Sequence, residues 1–150
     1  MVQADTRIVD VIRQMQEQRK QDRQIFYDIY SQQEKRQDPE KKDTGLFFFR
    51  GRTDALFAVV SAGGGFSCVG SIHESFPHAL ELSRQGYNAF ALQYRTGGAE
   101  VACEDLAAAI SFIFSHAQEL HGLLFTLGRL CRSQNGCLPW LLRSGPVRRG

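Results

Sequence analysis

No apolar run in the 150 residues approaches the roughly 18 that a membrane-spanning helix requires. The N-terminus, Met1-Val2-Gln3-Ala4-Asp5, lacks the basic and apolar stretches of a secretory signal. The four cysteines, Cys68, Cys103, Cys131 and Cys137, form no C-x-x-C pair, which argues against a zinc ribbon or redox motif. Isolated thiols without a signal sequence read as reduced cysteines, so a cytoplasmic location is expected. Residues 122–150 hold no acidic residue at all: five arginines give them a net charge of +5. Residues 1–121 carry 13 Lys and Arg against all 16 acids, a net of −3. A basic tail can bind nucleic acid or an acidic surface. No nucleic-acid partner is expected.

What remains is ordinary for a globular protein. Hydrophobic residues make up 43% and charged residues 23%, which excludes wholesale disorder, and the length suggests about one domain. Ile8, Val11, Ile12 and Met15 recur at helical spacing and predict an amphipathic helix over 5–20. Phe26–Tyr30 reads as a short strand, and Ser31 with Glu34 forms a capping-box pair opening a short helix. Asp38–Asp43 reads as a solvated charged loop. Leu46–Arg50 and Leu56–Val60 are apolar strands separated by the turn Gly51–Asp54, a pattern that suits a hairpin. A helix follows with Ser75 as N-cap, Ala79, Leu80 and Leu82 inward, and Gly86 as its stop. Asn88–Tyr94 is a further strand. Residues 100–119 form a long helix with Leu106, Ala109, Ile110, Ile113 and Phe114 on one side, and Gly122 is its expected stop. The order β-β-β-α-β-α predicts an α/β fold, a mixed and mostly parallel sheet flanked by helices.

Such a sheet carries its chemistry at the carboxyl ends of its strands. Gly63-Gly64-Gly65 falls at such an end. A phosphate-binding G-x-x-x-x-G-K-[ST] loop is excluded, because Ser71-Ile72 stands where the lysine is required. A dinucleotide fingerprint fits poorly, since Cys68 occupies the third glycine position and no helix opens there. An oxyanion hole fits best: backbone N–H groups on a glycine run, after an apolar strand, aimed at a developing alkoxide. Of the histidines, only His73 lies near this loop, and a surface role suits it better than catalysis; His78, His116 and His121 sit on or beside helices. Neither a metal nor a cofactor is expected.

Phe26–Tyr30, Ala62-Gly63-Gly64-Gly65-Phe66, Gly70–Glu74, Gly86–Phe90, Tyr94-Arg95 and Glu104–Ile110 occur together and in this order. Through them residues 25–121 resemble the α/β-hydrolase superfamily, in its small esterase and lipase branch related to acetyl esterases. Ala62 replaces the histidine of the commoner His-Gly-Gly-Gly version. The resemblance implies hydrolysis of a small ester, with the backbone N–H groups of Gly63, Gly64, Gly65 and Phe66 as oxyanion donors. It also implies a strand and a G-x-S-x-G nucleophile elbow near 124–132. Leu124–Arg132 has no serine, and Leu130 occupies the expected nucleophile position.

Charge and motif break at the same place. Taking the last two bases of each codon with the first base of the next, permitted codons turn Gly128–Arg132 into Gly-Gly-Ser-Ala-Gly. The middle base of each original codon fixes the first base of the shifted one. Gln134 and Asn135, with A in the middle, thus supply the shifted Arg and Met. The expectation is a frame slip near His121 or Gly122. The chain then divides into an amphipathic helix (1–24), a partial α/β-hydrolase domain (25–121) and an out-of-frame basic tail (122–150). The chain as written lacks nucleophile, acid and histidine and is expected to be catalytically incompetent, a loss on the order of 10⁶ in kcat. A non-enzymatic binding module and an interaction protein with a genuine basic tail remain as alternatives.

Overall fold

A computed structural model describes residues 2–64 and 68–120, together with the backbone of two strands at 122–129 and 141–142. In chain order the elements are α1 (Val2–Lys20), β1 (Phe26–Asp28), α2 (Gln32–Gln37), a 3₁₀ helix (Pro39–Asp43), β2 (Gly45–Phe49), β3 (Ala55–Ser61), α3 (Ser75–Arg84), β4 (Asn88–Gln93), α4 (Ala99–Ser115), β5 (Gly122–Arg129) and β6 (Leu141–Leu142). The strands form one sheet in the order β1-β2-β4-β3-β5-β6. β3 runs parallel to both β4 and β5. β2 is antiparallel to its neighbours β1 and β4.

The expected hairpin between β2 and β3 does not form, because β4 lies between them. β2 pairs with β4 in the register Phe48↔Phe90, and those two rings stack at 4.3 Å. Both strands are apolar on both faces, so each requires a neighbour on either side and a helix on either surface. Alternation along the strands divides the interior in two. Leu46, Phe48, Phe57, Val59, Phe90 and Leu92 face α4 through Ala109 and Ile113. Phe49, Val60, Ala89 and Ala91 face α3 through Phe76, Ala79 and Leu80, with Val11 of α1 packed on the same side.

Several boundaries differ from the sequence expectation for local reasons. The N-cap of α3 is Glu74, without a side-chain cap bond, and Ser75 is the first helical residue, its hydroxyl donating to the Ser71 carbonyl at 3.4 Å. On α1 the buried line runs through Val11 and Gln18, leaving Ile12 and Val9 exposed. On α4, Phe114 is exposed while Phe112 packs inward beside Tyr27. Gly122 opens β5 rather than ending a helix. The capping box at Ser31 and Glu34 forms as expected. The charged segment after it is solvated, as expected, with no buried residue, but it is wound: it forms the 3₁₀ helix, with Asp38 accepting from the Glu40 N–H at 3.1 Å. The turn before β3 is tied to β4 by the buried Asn88, whose amide accepts from the Gly51 N–H at 3.0 Å and donates to the Arg52 carbonyl at 3.2 Å.

Candidate functional site

The chain leaves the carboxyl end of β3 at Ser61 and enters the glycine segment through the buried Ala62. Tyr94, just past β4, donates its hydroxyl to the Ala62 carbonyl at 2.7 Å and so ties the loop to the neighbouring strand end. Three hydrogen bonds then close a ring. The Gly63 N–H donates to the Glu74 carboxylate at 2.5 Å. The Gly70 N–H donates to the Gly63 carbonyl at 3.3 Å, and the Glu74 N–H donates to the Gly70 carbonyl at 2.9 Å. Gly64 turns back at φ +143°, and its carbonyl accepts from the Cys68 N–H at 3.4 Å. A Cβ at Gly64 would fall on the Cys68 carbonyl, so both the conformation and the close approach require glycine there.

Of the four expected oxyanion donors, the structure describes two. The Gly63 N–H is engaged by the Glu74 carboxylate in this conformation. No hydrogen bond from the Gly64 N–H occurs among the described residues. Gly65 and Phe66 lie outside the described residues, as do Leu130, His121, Cys131 and Cys137. Glu74 lies in the Gly70–Glu74 segment of the family resemblance, but its bond to Gly63 spans 11 residues and leaves no periodic signal.

Beside the loop lies a cleft of about 720 Å³ whose wall is mainly apolar and includes three aromatic rings, Phe26, Phe47 and Phe76, together with Val69, Ser71 and His73. Phe47 meets Phe26 at 5.0 Å and Phe76 at 4.7 Å between ring centres. Ser71 donates to the Gln93 side chain at 2.5 Å, which ties this wall to the end of β4. The other described histidines are engaged locally. The His78 ring lies 2.6 Å from the Glu74 carbonyl, and His116 contacts the Phe112 carbonyl at 2.9 Å. Among the described residues no group of His, Cys, Asp and Glu has the arrangement to hold a metal ion.

The most elaborate electrostatic feature of the described residues lies just past β4. Asp105 of α4 is fully buried and accepts from the Tyr30 hydroxyl at 2.6 Å and from the Arg95 N–H at 2.7 Å. The Arg95 guanidinium forks to Asp105 at 2.8 and 3.0 Å. It also reaches Glu104 and Asp38, each at 2.8 Å. Hydrogen bonding to Asp105 holds the Arg95 proton more tightly than usual. Burial, and then the bond to Asp105, push the Tyr30 phenol above its ordinary value. Hydrogen bonds from Arg95 and Lys41 hold the Glu104 carboxyl below its usual range. This cluster joins β1's exit, the 3₁₀ helix, β4 and α4 at the end of the sheet that carries the glycine loop. Tyr30, Arg95, Glu104 and Asp105 all belong to the segments that carry the family resemblance; their joint role becomes visible only once the chain is folded.

A mixed sheet whose second strand is reversed, covered by helices on both faces and ending in a glycine loop after β3, defines an incomplete α/β-hydrolase fold. The same fold occurs in an acetyl ester-xyloside bifunctional hydrolase from Caldicellulosiruptor lactoaceticus, with a TM-score of 0.59 and 23% identity over 69% of this chain and 41% of that one. It occurs in the esterase Est2 of Thermogutta terrifontis, solved with propionate bound, with a TM-score of 0.52 and 19% identity over 69% and 40% of the two chains. Esterase B from Lactobacillus rhamnosis matches with a TM-score of 0.54 and 15% identity over 70% of this chain and 35% of that one. This chain thus spans about two fifths of the length of the first solved structures it matches. No protein-family model matches the chain, and no curated protein does. Among the described residues no helix is long and apolar enough to cross a membrane.

Proposed function

We propose that residues 25–121 are the glycine-loop part of a serine carboxylesterase or lipase domain acting on a small ester. The observation that carries this reading is the loop itself. It is closed by Glu74, Gly70 and Tyr94 at the carboxyl end of a parallel strand, and it borders an apolar cleft. In the intact reaction a serine attacks the ester carbonyl and a histidine takes its proton. An acid orients the histidine, and backbone N–H groups hold the oxyanion. With Gly63 held by Glu74, the donors fall to Gly64, Gly65 and Phe66. Each such donor is worth about 2.7–4 kcal/mol in the transition state.

The 150 residues contain no G-x-S-x-G sequence, and Leu130 stands where the nucleophile is expected. β5 supports this alignment. It runs parallel beside β3 and ends at Arg129, immediately before Leu130. We therefore take the chain as written to be catalytically incompetent and residues 122–150 to be read out of frame. The test pairs two samples. A fluorophosphonate probe and p-nitrophenyl acetate should neither label nor be turned over by the 150-residue chain. The product of a gene with one base restored near codon 122, opening into Gly-Gly-Ser-Ala-Gly, should be labelled at that serine. Labelling of the chain as written would overturn the inactive reading. A genomic sequence without a slip would overturn the frame assignment and return the basic tail to consideration.

A further inference from the structure

A second cleft, of about 450 Å³, opens between α2 and the 3₁₀ helix. It is lined by Gln32, Lys35, Arg36, Pro39 and Lys42: three cations, an amide, a proline and no acid. The cations around it are otherwise neutralised. Lys41 reaches Glu104 at 3.2 Å, and Arg95 is shared among Asp38, Glu104 and Asp105. Lys35, only 7% exposed, is fixed by Asp28, which does not line the cleft. Arg36 and Lys42 have no ion-pair partner among the described residues. Two unneutralised cations and one buried lysine therefore share one concave surface, on a body whose first 121 residues carry a net negative charge.

The walls are rigid. The capping box starts α2, while Asp38 ends it through its own N–H, caps the 3₁₀ helix and is clamped by Arg95 at 2.8 Å. Holding like charges together costs Coulomb energy that an anion would relieve. Lys42 also lines the aromatic cleft, so it forms the wall between the two. Asp43 lines the aromatic cleft alone, and its carboxylate would repel an anion placed there.

We infer that these adjoining clefts form one binding site for a small amphiphilic anion, with a phosphate or carboxylate over Arg36 and Lys42 and an aryl or short alkyl body against Phe26, Phe47 and Phe76. The inference goes beyond the ester reading, because it is tested by binding without turnover. Calorimetric and NMR titrations would use phenyl phosphate, inorganic phosphate and phenol on the 150-residue chain. Phenyl phosphate should bind saturably and more tightly than either of its halves. Arg36→Met and Lys42→Met should each weaken it about tenfold, the scale of one screened charge pair. Both side chains are exposed and unpaired, so melting should be unchanged. Lys41→Met removes the same charge from the adjacent position outside the cleft and should leave binding intact. Three results would overturn the inference: no saturable binding of phenyl phosphate, equal affinity for inorganic phosphate, or equal losses in the Lys41 and Lys42 variants.

Discussion

Replacing Arg95 by methionine tests the largest electrostatic commitment in the described structure. Asp105 is fully buried and, among the described residues, would keep only the Tyr30 hydroxyl and the backbone N–H of residue 95 as donors. Removing one partner of a buried charge pair costs about 3–5 kcal/mol, since the remaining carboxylate stays desolvated and unneutralised. The lost bonds to Glu104 and Asp38 add little, because those carboxylates are 54% and 37% exposed and such pairs contribute about 0–1 kcal/mol. The orphaned Asp105 therefore decides the magnitude. Urea denaturation followed by circular dichroism measures it. Arg95→Lys keeps the charge but loses the planar fork, and should cost about 1–3 kcal/mol, so it reports even if the methionine variant does not fold. Adding Asp105→Asn to Arg95→Met removes the orphan charge and should recover more than about 1 kcal/mol relative to additivity. Strict additivity of the two substitutions, or a lysine variant as stable as the parent, would refute the reasoning.

Two further predictions follow from the loop and the titrating groups. Gly64→Ala should destabilise by about 1–3 kcal/mol through its positive φ and the Cys68 carbonyl, whereas Gly70→Ala, whose Cβ would stand 3.7 Å from Glu74, should stay within about 1 kcal/mol; equal urea midpoints for the pair would contradict the loop geometry. The pH dependence of melting should have two limbs. Glu34, held low by the Ser31 N–H, and Glu104, held low by Arg95, contribute stability that is complete above the unfolded carboxylate value of about 4.3. It is lost as pH falls through their lower folded values. Tyr30 has the opposite sign: its contribution is complete below the unfolded phenol value of about 10 and is lost as pH rises through its raised folded value. Glu104→Gln should flatten the acid limb and Tyr30→Phe the alkaline one, and unchanged slopes would show that other groups govern the profile.

The legible part of the fold was the part carried by short-range pattern. The apolar runs at 46–49, 56–60 and 88–94 became strands, and Ser31-x-x-Glu34 became a capping box, because each depends on residues within one turn or one strand. The pairing of those strands was not legible. Nothing in the turn Gly51–Asp54 reveals that β4 will take the place beside β2, since that choice is made by faces that meet only after α3 has crossed the sheet. The charged stretch 38–43 was read correctly as solvated, but its winding and its ties were not legible for a related reason: Asp38 and Lys41 are held by Arg95 and Glu104, more than 50 residues away. The position of the glycine loop was legible from its glycines. Its latch, Glu74, was not, because a single carboxylate after a loop carries no spacing that marks its partner.

The insertion of β4 beside β2 also sets a schedule for synthesis. Phe49 pairs with Ala89, so the Leu46–Phe49 stretch must wait for about 40 further residues before its second neighbour exists. At ribosomal speeds of about 5–20 residues per second that is roughly 2–8 s, during which one edge of three consecutive phenylalanines stands open. For those seconds the nascent chain presents an adhesive strand to the cell. Its yield is then governed by how long that edge stays open and by whatever shields it, such as a chaperone, as much as by the stability of the finished sheet.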